Sequence, residues 1–253
     1  MLKTYKPYIF CLLLLSVKCV TSQYYISPSY GINFTLQHTI LATDNGKYFN
    51  TYIRPIENFG LYIGRIMNNW EAEIGIERTR YSLAGGIFIP HPEICKTCGS
   101  SSGGATEFQV WHIPIRTSYQ FRYRKWSYGP LVGASILFHR GGGIGVNSTI
   151  APDYTFIRYK SDVFPGIKPN AHIGTNIGFA INAHHEFHFQ ALYNYGFSNM
   201  INQYYKLTIK HDGGTYDIFD YKTSFKGDYI GLRLTYRYIF NPIWLKHHTA
   251  KYK

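Results

Sequence analysis

The chain has 253 residues, 18% of them aromatic, and tyrosine and glycine each occur 24 times. This composition, with many short alternating segments, points to an all-β protein. The formal net charge of +12 suits an anionic partner, and lipid phosphate or lipopolysaccharide fits as well as nucleic acid does. Because no later segment offers a long apolar run, the sequence predicts no membrane-spanning helix in the mature chain, and only a closed barrel could enter a bilayer.

The first segment reads as an export signal. Basic Lys3 and Lys6 precede an apolar stretch from Tyr8 to Val17, and small or branched residues follow up to Ser22. This order predicts a secretory signal peptide over residues 1–22 that is cleaved after Ser22.

Eight segments alternate between apolar and polar residues. They predict strands over residues 29–41, 58–67, 70–83, 107–123, 128–139, 168–181, 185–198 and 228–240. In the last of them, Leu232 and Leu234 share one face while Arg233 and Thr235 share the other. Lengths of about ten residues or more match tilted strands that cross a bilayer.

Long and short connections alternate between these strands. The long ones cover residues 42–57, 84–106, 140–167 and 199–227, and the short turns lie at Asn68–Asn69, Lys125–Ser127 and Asn182–His184. The predicted fold is therefore an eight-stranded antiparallel up-and-down transmembrane β-barrel with long extracellular loops and short periplasmic turns. We expect it to occupy residues 23–240 and to be followed by a basic periplasmic tail over residues 241–253. Within the last loop, alternation about Asp212-Gly213-Gly214 predicts a hairpin above the membrane.

The alternation does not by itself show which face of the sheet points into the barrel, since a soluble barrel would turn its apolar face inward. The separation of long loops at one end from short turns at the other favours a membrane barrel, in which the apolar residues face lipid and the polar residues face the lumen. The charged residues then sent inward are Glu71, Glu73, Glu77, Arg116, Arg122, Arg233 and Arg237. Carboxylates and guanidinium groups on neighbouring inward faces can neutralise one another, as a low-dielectric interior requires. We expect ion pairs to plug the lumen.

Aromatic residues at strand ends fit a bilayer interface, where tryptophan and tyrosine collect. The candidates for such interface positions are Trp70, Trp111, Tyr123, Trp126, Tyr236, Tyr238 and Phe240.

Two further segments hold side chains that can bind metals. Cys95 and Cys98 lie in a long loop, where export would favour a local disulfide over a metal site or a redox motif. His184, Glu186 and His188 alternate along one strand and are predicted to face inward, where a packed polar lumen is a better interpretation than a metal site. We expect no metal and no cofactor.

Four segments resemble a known family. They are "FQVWHIPIRTSYQFRY", "GPLVGASILF", "IGTNIGFAINAHHEFHFQALYNYGFSNM" and "YIGLRLTYRYIF". These segments are similar to the small outer-membrane β-barrel proteins of Bacteroidetes, the PorT-like family with an outer membrane protein beta-barrel domain. The resemblance covers most of residues 58–240 and implies the fold and the outer membrane. It implies function poorly, because relatives range from type IX secretion assembly factors to barrels of unassigned role.

The expected function is non-enzymatic: surface binding, envelope integrity or assistance to a secretion machine, through the external loops or rim. The expected partners are outer-membrane lipid, lipopolysaccharide and envelope or secretion-machinery proteins, without nucleic acid. The alternatives are an outer-membrane enzyme that modifies lipid A or phospholipid and a soluble secreted barrel that carries a ligand. A serine, histidine and acid cluster at the outer rim would favour the enzyme.

Overall fold

The structure is a computed structural model that describes residues 22–44, 48–90, 99–139, 147–150, 154–211 and 214–240. Most of the predicted signal peptide, the Cys95 and Cys98 pair and the predicted tail from residue 241 lie outside the described residues. Within the described ranges, no helix is long and apolar enough to span a membrane.

Strands make up most of the described chain. In chain order they are β1 (Ser22–Thr35), β2 (His38–Ala42), β3 (Phe49–Tyr52), β4 (Pro55–Met67), β5 (Trp70–Pro90), β6 (Gly99–Tyr119), β7 (Phe121–Tyr123), β8 (Trp126–His139), β9 (Asn147–Ile150), β10 (Tyr154–Val163), β11 (Gly166–Ala180), β12 (His185–Gly196), β13 (Ile201–Lys210), β14 (Tyr216–Phe225) and β15 (Tyr229–Phe240).

Eight of these strands close into a barrel. The order around the wall is β1, β4, β5, β6, β8, β11, β12 and β15, and β15 returns to pair with β1. Every neighbouring pair is antiparallel, and β7 continues the β6 side of the ladder against β8. This confirms the predicted all-β, eight-stranded, up-and-down barrel.

The barrel wall points its apolar side chains outward. Ile63, Ile76 and Ile173 are each more than half exposed on the outside of the wall. Polar residues at alternate positions are buried inside, such as Asn33 and Asn176. A sheet that exposes its apolar face and buries its polar face has the pattern of a membrane barrel and the reverse of a soluble one.

The two ends of the barrel differ. At one end, here called the turn end, tight connections join β4 to β5 at Asn68–Asn69, β7 to β8 at Arg124–Lys125, and β11 to β12. Asn68 and Arg124 adopt positive φ angles of 57° and 56°, as tight hairpin turns require.

At the other end, regions that were predicted as loops are largely strand, which corrects the sequence prediction. Strands β5 and β6 stay paired as far as Pro90 and Gly99. A separate five-stranded sheet has the order β2, β14, β13, β10, β9. Those strands are the chain neighbours of β1, β15, β12, β11 and β8, in the same order as the barrel wall. The wall therefore continues above the barrel, and we call this continuation the β-extension: β2, β3, β9, β10, β13, β14 and the outer parts of β5 and β6.

Strand bounds also need correction at the start of the chain. The first barrel strand begins at Ser22 and ends at Thr35, whereas the prediction placed it at residues 29–41. His38–Ala42 is instead a strand of the β-extension that pairs with β14. The hairpin predicted around Asp212-Gly213-Gly214 is present as the β13 and β14 pair, and the tip residues 212 and 213 lie outside the described ranges.

Two apolar clusters fill the far end of the molecule. One lies where the barrel meets the β-extension and contains buried Tyr81, Leu137 and Phe225. The other lies between the two sheets of the β-extension, where Phe49 packs against Tyr205 and Tyr221. The β-extension thus has a hydrophobic core of its own.

Candidate functional site

The lumen gathers charged side chains from five strands. Glu71, Glu73 and Glu77 alternate along β5, so the period of two places all three carboxylates inside the wall. The same period turns the arginines of β6, β7 and β15 inward. Glu186 on β12 joins them, although the sequence analysis did not count it among the ion-pair residues.

The upper group of contacts surrounds Glu77, which is 1% exposed. Arg116 Nη2 donates to Glu77 Oε2 at 3.1 Å, and Arg233 Nη2 donates to Glu77 Oε1 at 2.6 Å. The Tyr62 hydroxyl donates to Glu77 Oε2 at 2.9 Å and accepts from both arginines. Arg233 also donates to the Tyr229 hydroxyl at 2.9 Å. Both oxygens of this carboxylate are therefore held by charged donors, as a buried charge requires.

The lower group surrounds Glu71, nearer the turn end. Arg237 donates to both of its oxygens, at 3.0 and 3.1 Å, in the bidentate arrangement that planar guanidinium groups favour. Arg122 donates to Glu71 Oε1 at 3.0 Å, and Arg237 also reaches Glu186 Oε2 at 3.3 Å. His188 shares Glu186 Oε2 at 2.9 Å.

Glu73 lies between the two groups, contacts the upper one directly and is linked to the lower one through Tyr25. Arg116 Nη1 lies 3.5 Å from Glu73 Oε1, and the Tyr25 hydroxyl donates to Glu73 Oε2 at 3.1 Å. The guanidinium carbon of Arg237 lies 4.0 Å from the centre of the Tyr25 ring, within cation–π range. The contacts therefore form one connected network along the lumen.

The charges of this network balance. Four carboxylates face four guanidinium groups: Glu71, Glu73, Glu77, Glu186, Arg116, Arg122, Arg233 and Arg237. All are buried except Arg122, whose side chain is 18% exposed at the turn end. The gap that remains among Tyr25, Glu73 and Gln190 is too small for a water molecule. The network therefore fills this section of the lumen, as narrow eight-stranded barrels allow.

Two glycines make room for the tyrosines of this network. Tyr25 lies directly opposite Gly64 in the register of β1 and β4, and Tyr62 lies opposite Gly75 in that of β4 and β5. A Cβ atom on Gly64 would be 2.1 Å from the Tyr25 ring, and one on Gly75 would be 2.3 Å from the Tyr62 ring. Each ring therefore lies flat against the neighbouring strand, and its hydroxyl is aimed at the carboxylates.

Sequence reasoning missed the inward tyrosines, because it assigned tyrosine to the lipid face and the interface. One signal was available: Tyr62 and Gly64 alternate along β4, so both must face the same side of the wall. Tyr25 was out of reach because the first strand was predicted to begin after it. Glu186 had been placed on the inward face, but its arginine partner could not be read from the sequence.

The histidine segment is only partly inward. Glu186 and His188 are buried in the lumen, but His184 is exposed in the turn before β12, where its Nδ1 lies 3.1 Å from the Ile239 carbonyl oxygen. The prediction that His184 faces inward was wrong because the strand begins one residue after it. Among the described residues, no cluster of three metal-binding side chains occurs.

The candidate interface aromatics lie on the outside of the wall. Trp70 packs edge to face on Tyr119, and Trp126 packs on Phe179, both next to tight turns. The side chains of Trp70, Trp111, Tyr123, Trp126 and Phe240 are exposed, and those of Tyr236 and Tyr238 are half-buried. Trp111 differs in position, because it pairs with Phe138 near the far end of β8.

A histidine and acid pair lies where the barrel meets the β-extension. His38 Nε2 is 2.9 Å from Asp228 Oδ2, and Asp228 Oδ1 accepts from the Gly196 backbone N–H at 2.6 Å. The pair thereby ties together the ends of three neighbouring strands. In the part of the chain that the structure describes, no serine hydroxyl hydrogen bonds to His38.

Comparison with known proteins gives likeness of shape alone. No protein-family model matches the sequence, and no curated protein matches it. The structure is similar to Neisserial surface protein A, at 10% identity and a TM-score of 0.41, over 86% of this chain and 97% of that one. It is also similar to the outer membrane protein OprG from Pseudomonas aeruginosa, at 8% identity and a TM-score of 0.43, over 87% and 96% of the two chains.

A third similar structure is a major outer membrane protein from Thermus thermophilus, at 9% identity and a TM-score of 0.41, over 87% of this chain and 99% of that one. The barrel architecture itself rests on the strand pairing described above. The resemblance to PorT-like barrels stays a prediction.

Proposed function

We propose that this chain is a non-enzymatic outer-membrane barrel that does not conduct and acts through its β-extension. The observation that carries the proposal is the pair of arginines that hold Glu77 from two sides of the lumen, at 2.6 and 3.1 Å. A path for solutes would require these buried charges to separate, which costs several kcal/mol. The functional surface is then the outside of the molecule.

The outer-membrane location is supported by the outward apolar belt. Side chains such as Leu61, Ile136 and Phe189 would face water in a soluble protein, and a belt of this kind is an aggregation hazard there. Lipid around the belt removes that hazard. The belt therefore argues against the alternative of a soluble carrier. Short turns face the periplasm in outer-membrane barrels, so the β-extension points outside the cell.

The β-extension is the best candidate for the acting surface because it is a folded platform. Its core of stacked aromatic rings, with Phe156 parallel to Tyr205 at 5.5 Å, holds the outer strands in fixed positions. Surface binding, support of the envelope and assistance to a secretion machine are the roles that we propose for this platform. The type IX assignment rests on the PorT-like resemblance, and lipopolysaccharide and envelope proteins are the proposed partners.

Two measurements test this proposal. Purified protein that migrates with heat-dependent mobility on a gel should add no conductance steps to a planar lipid bilayer, and reproducible ohmic steps would overturn the closed lumen.

The second measurement tests the orientation of the barrel in the membrane. Ile218→Cys and Lys125→Cys are each placed in a Cys95→Ser, Cys98→Ser background. A membrane-impermeant maleimide on intact cells should label the first, in the β-extension, and spare the second, at the turn end. The reverse pattern would overturn the proposed orientation.

A further inference from the structure

Tyrosines and lysines are interleaved on the outward face of the five-stranded sheet. Tyr204 on β13 pairs with Lys222 on β14 and with Lys160 on β10. The Nζ atoms of Lys160 and Lys222 lie 5.1 and 5.3 Å from the centre of the Tyr204 ring. Both distances are within cation–π range, so one ring holds two ammonium groups.

A bulge in β10 enlarges this face. The pairing with β13 shifts between Arg158 and Lys160, and as a result Tyr159 and Lys160 are both exposed while Arg158 is buried. In a regular strand, adjacent residues would point to opposite faces, and bulges are known to re-aim side chains. The Tyr159 ring lies 6.3 Å from that of Tyr204 and 5.8 Å from the Nζ atom of Lys206.

We call this surface the basic–aromatic face, and its members are Tyr159, Lys160, Tyr204, Lys206 and Lys222. The carboxylate of Asp162 lies beside this face and offsets part of its positive charge, since it interacts with Lys160, with Tyr204 and, more weakly, with Lys222. Lys160 pairs with Asp162 at 3.1 Å. Lys206 lies opposite Asp220 in the register, but within the described ranges neither Lys206 nor Lys222 forms an ion pair with a carboxylate.

The basic–aromatic face lies just above the apolar belt. Strands β13 and β14 continue β12 and β15, so their outward face extends the outer surface of the barrel. On the next strand, Lys160 precedes exposed Phe164 by four residues, and exposed Ile167 follows. Four residues span at most about 14 Å. Headgroup layers extend several ångströms beyond the hydrocarbon core, and lysine side chains extend toward them.

We infer that the basic–aromatic face binds the phosphate groups of lipid headgroups in the leaflet around the barrel, in particular those of a phosphorylated glycolipid. The inference rests on the membrane orientation proposed above. Lys206 and Lys222 supply the positive charge, since a lysine ammonium binds phosphate as a point charge. Tyr159 and Tyr204 supply rings of the type that bilayer interfaces favour.

A soluble sulfated glycan could be attracted by the same charges. The position next to the belt favours lipid, because a lipid headgroup is already held at that height. The face would then fix the height and tilt of the barrel through contacts with anionic neighbours, each basic side chain adding attraction at an anionic surface.

The test compares two variants that each lose two outward-facing cations. Lys206→Gln/Lys222→Gln removes the two charges of the basic–aromatic face that form no ion pair within the described ranges. Arg124→Gln/Lys125→Gln is the matched control at the turn end, where Arg124 also lies over a tyrosine ring, at 5.3 Å from Tyr123. Each protein is extracted in zwitterionic detergent from outer membranes whose lipopolysaccharide is confined to the outer leaflet, and the lipopolysaccharide retained per barrel is measured.

The wild type and the control should retain similar amounts, and the face variant should bind on the order of tenfold more weakly. Lys206→Arg/Lys222→Arg should restore retention, which separates charge from folding. Equal retention by all variants would overturn the inference, and so would lysine-dependent binding of a soluble sulfated disaccharide without lipid retention. Heat-dependent gel mobility and the absence of conductance report on the proposed function independently.

Discussion

Arg233 on β15 donates to Glu77 on β5 across the lumen, with 2.6 Å between Nη2 and Oε1. In the wall these two strands are separated by β1 and β4, so the contact passes through the interior of the barrel. Arg116 reaches the same carboxylate from β6, which pairs directly with β5. The charged network therefore ties distant parts of the wall together, which backbone pairing between adjacent strands cannot do.

Arg116→Leu should destabilise the barrel strongly. The change leaves Glu73 without its arginine and Glu77 with only one. Removing one partner of a buried ion pair typically costs about 3–5 kcal/mol, because the other charge stays buried. Urea unfolding in lipid vesicles, followed by tryptophan fluorescence, measures the loss. Arg78→Leu on the exposed outer face is the control and should change little. An unchanged free energy of unfolding for Arg116→Leu would contradict the role of the network.

Gly75→Ala should also destabilise the barrel, for a steric reason. The added Cβ would lie 2.3 Å from Tyr62 Cδ1 and 2.7 Å from the Leu61 carbonyl oxygen, so the ring must move away from Glu77. Overpacking of this kind costs about 1–3 kcal/mol. In a double-mutant cycle with Tyr62→Ala, the two losses should be less than additive, since the clash disappears once the ring is removed. Strict additivity would show that the ring and the glycine are not coupled.

The barrel could be predicted from the sequence, since a period of two assigns each residue to a face once it is known which face points into the barrel. Glu77, Arg116 and Arg233 were placed on inward faces for that reason. Which guanidinium reaches which carboxylate depends on barrel closure, and no local pattern encodes it. Tyr62 was missed because the glycine opposite it makes room for its ring, and that pairing also depends on the register.

Phe49→Ala should loosen the β-extension and leave the barrel intact. Phe49 stacks on Tyr221 at 4.8 Å and contacts Tyr205 at 5.1 Å, in a core that is separate from the lumen. Truncating a buried phenylalanine costs about 3–5 kcal/mol. Limited proteolysis should cut the variant within the β-extension sooner than the wild type, while heat-dependent gel mobility stays the same. Loss of both properties together would mean that the two parts fold as one unit.

The β-extension should weaken in alkali. Tyr221 donates to Asp44 at 2.7 Å, and burial, followed by this contact with a carboxylate, raises the pKa of Tyr221. Burial likewise raises the pKa of Tyr205. The folded state therefore keeps protons that the unfolded chain releases near pH 10. The associated stability is complete below about pH 10 and falls as the pH rises beyond it.

Limited proteolysis at increasing pH checks this expectation, with cleavage of the β-extension rising above about pH 10. Tyr221→Phe removes one of the two titrating hydroxyls and should flatten the dependence. A wild type whose cleavage rate is independent of pH in this range would contradict it.

The β-extension itself was predicted only in part, as the single hairpin of β13 and β14. Residues 84–90 and 99–106 are rich in glycine, serine and alanine, which carry little alternation, so they were predicted as loop. They form strands because each pairs with the other across the barrel rim. Long-range pairing of this kind overrides weak local preference.

The β-extension continues the barrel wall, so the number of residues inserted into or deleted from its strands determines which face each later side chain occupies. Adding one residue to β13 would rotate every residue beyond it to the opposite face, exchanging Tyr204 and Lys206 with the buried Tyr205 and Leu207. Two residues added to each arm of a hairpin lengthen it and preserve both faces. The bulge at Tyr159 is the one irregularity recorded in the pairing of β10 with β13. It shows how a single extra residue can be absorbed. Natural variants that differ in the length of this region are thus expected to differ by even numbers of residues in each strand or to carry a new bulge.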